Sequence, residues 1–61
     1  MSDERSIAES YRLRAEELRT IAQMDDRGKT RETLIRVADD YDRMAATMEG
    51  IATTNEAMRR H

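Results

Sequence analysis

Ile7-Ala8-Glu9-Ser10-Tyr11-Arg12-Leu13-Arg14-Ala15-Glu16-Glu17-Leu18-Arg19-Thr20-Ile21-Ala22 decides the fold, because its pattern returns thirty residues later. The second copy is Val37-Ala38-Asp39-Asp40-Tyr41-Asp42-Arg43-Met44-Ala45-Ala46-Thr47-Met48-Glu49-Gly50-Ile51-Ala52. In both, the apolar residues fall at heptad spacing, the signature of an amphipathic helix. One column holds Tyr11 and Leu18, a second Ile7, Arg14 and Ile21, and a third Ala8, Ala15 and Ala22. The matching columns of the second copy are Leu34, Tyr41 and Met48, then Val37, Met44 and Ile51, then Ala38, Ala45 and Ala52. Two similar helices follow.

Outward from these stretches, the only strong punctuation is Asp25-Asp26-Arg27-Gly28-Lys29-Thr30. Gly28 suits the left-handed conformation that closes many helices, and Asp26 or Thr30 suits the N-cap of the next one. Upstream, Ser2 precedes an acidic first turn, and Ser6 with Glu9 has capping-box spacing, so helix 1 begins at either serine. The boundaries read from these signals are helix 1 over residues 3–25, a turn over 26–29 and helix 2 over 30–52. Residues 53–61 are expected to form a frayed or weakly helical tail, with Thr53 and Glu56 able to cap a short turn of their own.

The chain has 61 residues, a size at which one core is marginal. It has no cysteine, and its only histidine is His61, so neither disulfides nor a metal site is expected to staple it. Aromatic residues make up 3% and charged residues 39%, which leaves a core of aliphatic side chains, methionine and alanine and favours helices over strands. Each apolar stripe is wider than one neighbouring helix can cover. A lone hairpin is therefore expected to leave its alanine rows wet, and the expected fold is an all-α two-helix antiparallel hairpin, paired as a homodimeric four-helix bundle of the ROP type. The expected interface comprises Ile7, Tyr11, Arg14, Ala15, Leu18, Ile21 and Ala22 from helix 1. Helix 2 would contribute Leu34, Val37, Ala38, Tyr41, Met44, Ala45, Met48 and Ile51. The alanine columns predict close approach of the helices along one edge.

Arg14 violates the pattern, standing between Ile7 and Ile21 where helix 2 has Met44. If the hairpin folds about Arg27 and Gly28, residue numbers that add up to about 55 face each other. That register sets Arg14 beside Tyr41, where it either stacks on the ring or reaches past Ala15 to solvent. The other charges read as a solvated face with helix pairs four apart: Arg5 with Glu9, Arg12 with Glu16, Glu32 with Arg36, and Asp39 with Arg43.

No nucleophile–base pair or metal-ligand cluster stands out, so no enzymatic activity, cofactor or metal is expected. Asp39, Asp40 and Asp42 are acidic neighbours with Arg36 and Arg43 close enough to neutralise them. A net charge of −2 argues against general attraction to nucleic acid or an anionic bilayer. No apolar run reaches signal-peptide or membrane-span length, which makes cytoplasmic residence the expectation. Arg5, Arg12 and Arg19 form a column at seven-residue spacing, the one feature suited to tracking phosphates. The leading expectation is a small protein-interaction or regulatory module that acts through self-association and a charged outer face toward a protein partner. The alternative is a nucleic-acid-binding bundle that uses this arginine column.

The segment Tyr11 to Ala22, with Arg31-x-x-Leu34-x-x-Val37-Ala38-x-x-Tyr41-Asp42-Arg43-Met44-Ala45 after the turn, resembles a group of short, uncharacterised bacterial helical-hairpin proteins. The likeness covers residues 7–48. It implies a hairpin and carries no activity or site residue with it. Where such chains often have Asp-Pro at the turn, this one has Asp26-Arg27-Gly28.

Overall fold

In a computed structural model, which describes residues 3–25 and 27–60, the chain is an antiparallel pair of helices. Helix α1 spans Glu4–Met24 and α2 spans Gly28–Arg59. At ~1.5 Å per residue they are roughly 31 and 48 Å long. The longer helix therefore sets the 52 Å length of a molecule only 18 Å by 12 Å across.

Neither serine opens α1 in the described residues. Asp3 is the N-cap: its carboxylate accepts from the Ser6 backbone N–H at 2.8 Å, and Ser6 lies inside the helix. Carboxylates cap better than the alternatives here because the charge also meets the positive end of the helix dipole. Ser2 lies outside the described residues. The expectation for Gly28 is corrected as well. No glycine has positive φ, and Gly28 opens α2 instead of closing α1. α1 stops at Asp25, whose carboxylate accepts from the Arg27 backbone N–H at 2.8 Å and directs the chain into a turn of its own. Asp25 and Arg27 are both extended, with ψ of 123° and 111°. Thr30 is the third residue of α2, too late to cap it, and Asp26 lies outside the described residues.

Nor does α2 end near Ala52. It continues without a break through Gly50 and Thr53, whose hydroxyl donates to the Glu49 carbonyl at 3.0 Å, as far as Arg59. The reason lies in α1. Asn55 Nδ2 donates to Glu4 Oε1 at 3.2 Å, and Arg5 donates to Glu56 Oε1 through Nη2 at 2.9 Å, so the last turns of α2 lie against the first turn of α1.

Packing in the hairpin depends on alanine. Ala8, Ala15, Ala22, Ala38, Ala45 and Ala52 are all at most 6% exposed, and they are the whole buried core among the described residues. Side chains this small let two helices approach at the short end of the roughly 8–10 Å interaxial range. Contacts across the pair bracket the register: the residue numbers add up to 61 in the ion pairs Arg5–Glu56, Arg12–Glu49 and Arg19–Asp42, to 58 in Arg19–Asp39 and to 52 in the pair of tyrosines, Tyr11 and Tyr41. The register of about 55 expected from the turn lies inside this range, and the alanines of the two helices close on one another along the seam.

Candidate functional site

The two flanks of the alanine seam differ completely. On one side, Arg5, Arg12 and Arg19 each precede a seam alanine by three residues, and Asp42, Glu49 and Glu56 each follow one by four. They meet as a ladder across the helices. Arg12 binds Glu49 through two nitrogens, Nε lying 3.3 Å from Oε2 and Nη2 on Oε1. Arg19 Nη2 bridges Asp39 at 2.9 Å and Asp42 at 2.6 Å. These contacts raise the Arg12 and Arg19 guanidinium pKa values through hydrogen bonds to Glu49 and to Asp42 and Asp39 respectively. In turn, the hydrogen bond from Arg12 holds the Glu49 carboxyl below its ordinary value.

This ladder replaces the local pairs expected from four-residue spacing. Arg5 and Arg12 reach across the hairpin, and Asp39 takes Arg19, leaving Arg43 on Asp40 at 3.4 Å. The expected phosphate-tracking column is thus occupied by four carboxylates of its own chain: Asp39, Asp42, Glu49 and Glu56. Sequence reasoning missed the acidic half of the ladder. Its signal was present, since Asp42, Glu49 and Glu56 repeat every seven residues as the arginines do.

The opposite flank is apolar. Ile7, Tyr11, Leu18, Leu34, Tyr41 and Met48 are half-buried there, and Ile21, Val37, Met44 and Ile51 are exposed. The tyrosines bridge the helices, with Tyr11 and Tyr41 ring centroids 5.7 Å apart and planes inclined by 40°, a favourable tilted geometry. Arg14 does not stack on Tyr41. It turns to solvent, 61% exposed, with Nη1 3.6 Å from Glu17 Oε2. Tyr41 has Tyr11 as its aromatic neighbour instead. The four alanines expected at an interface between copies, Ala15, Ala22, Ala38 and Ala45, are corrected too: they are dry inside the single hairpin. The remaining eleven expected interface residues share the half-open flank. Leu13 lies outside it and is 57% exposed.

Concavities on the surface are open grooves, one of them lined by Tyr11, Arg43, Met44, Thr47 and Met48 on the apolar flank. Among the described residues, no cluster of three or more His, Cys, Asp or Glu side chains is placed to hold a metal, and no helix is long and apolar enough to cross a membrane. Compared with protein-family models, curated proteins and solved structures, the chain matches none.

Proposed function

We propose that the protein is a non-catalytic interaction module that works as a homodimeric four-helix bundle, two hairpins closing over each other's apolar flank. One observation carries this reading: among the described residues, no side chain larger than alanine is fully buried. A folded monomer of 7.1 kDa ordinarily exposes about 4,100 Å², whereas this hairpin exposes 5044 Å². The excess, on the order of 1,000 Å², is what one partner contributes to a standard stable protein–protein interface. Ile21, Val37, Met44 and Ile51, all exposed on the apolar flank, are the residues such an interface would cover, and the charged ladder on the far side keeps that face in water.

Such a bundle presents a rod with charged outer faces to a further protein partner. The ladder weighs against nucleic acid as that partner, because Arg5, Arg12 and Arg19 are already engaged by carboxylates that would repel phosphate. Sedimentation equilibrium combined with circular dichroism over a dilution series tests the proposal. Twice the chain mass, with helicity falling as protomer concentration falls, is the expected result. A monomer that keeps full helicity at every concentration refutes it.

A further inference from the structure

The geometry points to an antiparallel arrangement of the two copies, fixed by reciprocal ion pairs between Arg14 of each and Glu17 of the other. This inference rests on the self-association proposed above and goes on to assign the orientation and the residues that select it.

Arg14 is the charge in the middle of the apolar flank, between Ile7 and Ile21 on the column that faces away from the ladder. Its contact with Glu17 is loose: 3.6 Å, with both side chains more than half exposed. Two symmetric ways exist to close one flank over another. A two-fold axis parallel to the helices opposes α1 to α2 of the second copy at the same level, which sets Arg14 against Met44. The nearest carboxylate on that side is Asp40, four residues and roughly 6 Å from Met44 along the helix and 3.4 Å from Arg43. Covered by apolar side chains, the Arg14 guanidinium would then keep only its loose contact with Glu17 of its own chain as counter-charge, a costly outcome.

An axis perpendicular to the helices instead opposes α1 to α1 and α2 to α2, each antiparallel to its mate. Where the axis passes between residues 14 and 17, Arg14 of each copy comes level with Glu17 of the other, twice by symmetry. The length of α2 favours the same arrangement. The perpendicular axis runs the two copies of α2 antiparallel, so the first turns of each, with Leu34, lie toward the last turns of the other, with Met58, which is 69% exposed. The parallel arrangement would put the first turns of both copies at one end.

Charge reversal tests this. Arg14→Glu and Glu17→Arg are each made singly, and the two proteins are then mixed in equal amounts and weighed by native mass spectrometry. Alone, each variant places like charges together and should dimerise at least tenfold more weakly than the unmodified chain. The mixture should form the heterodimer in preference to either homodimer, since only there does every acidic side chain meet a basic one across the interface, while the pairs within each chain stay mismatched. An unmodified chain that dimerises, with variants that dimerise equally well or a mixture without heterodimer preference, overturns the antiparallel assignment and leaves the interaction module standing. An unmodified chain that remains a helical monomer overturns the reading beneath it.

Discussion

Replacing Ala45 by leucine should strain the hairpin more than any other change of similar size. Ala45 is 0% exposed, as is Ala15 on the other helix of the seam, so the added branched side chain has no free space to enter. Leucine and alanine differ little in helix propensity, which removes local helix stability as an explanation. What remains is forced separation of the two helices at the central layer, and overpacking of this kind costs about 1–3 kcal/mol. For a domain of this size that corresponds to a fall in Tm of roughly 5–20 °C. Separation at the seam also lengthens the ion pairs on either side of it, Arg12–Glu49 and Arg19–Asp42, so the loss is expected toward the upper end. The control is the next residue: Ala46 is exposed, and Ala46→Leu should change stability by no more than about 0.5 kcal/mol. Urea melts followed by circular dichroism at one fixed protein concentration make the comparison. Equal midpoints for the two variants would refute the claim that the alanine seam is closed.

Four other outcomes are expected. Gly50 lies within α2, and a Cβ there meets nothing within 4 Å, so Gly50→Ala should stabilise the helix by about 0.5–1 kcal/mol, read as a raised Tm. Because Arg12 holds the folded-state pKa of Glu49 below its ordinary 4.5, the native state gains stability from this carboxylate above that pH and loses it as pH falls through the lower folded value. Thermal melts from about pH 6 to about pH 3 should therefore decline less steeply for Glu49→Gln than for the unmodified chain. Titration with duplex DNA or structured RNA at low salt should show no salt-steep binding, whereas a steep dependence would restore the arginine column as a phosphate surface. Finally, Asp25→Ala should lower the Tm, because its carboxylate accepts from the Arg27 backbone N–H and holds the turn, a change measured by the same melts.

The helices and their apolar columns were legible in the sequence because heptad spacing dictates them whatever the partner. Partners across the hairpin were the weak point. Charges four apart on one helix looked like pairs, so the reach of Arg5, Arg12 and Arg19 to Glu56, Glu49 and Asp42 on the other helix went unread. Gly50 and the polar tail looked like a weakening helix, although Asn55 and Glu56 are held by Glu4 and Arg5. The division of labour between columns was harder to read. Tyrosine and leucine look like better core residues than alanine, yet the hairpin closes on its smallest side chains and leaves the larger ones on an open flank. Close approach of two backbones rewards small residues, and hydropathy alone does not report it.

The seven-residue spacing of the seam has a consequence for slippage. Moving one helix past the other by a full repeat would still bring small residues together, so the seam by itself is a poor ratchet. The charges supply the stop: after such a slip Arg19 would arrive at Ile35 in place of Asp42, and Glu56 would lose Arg5.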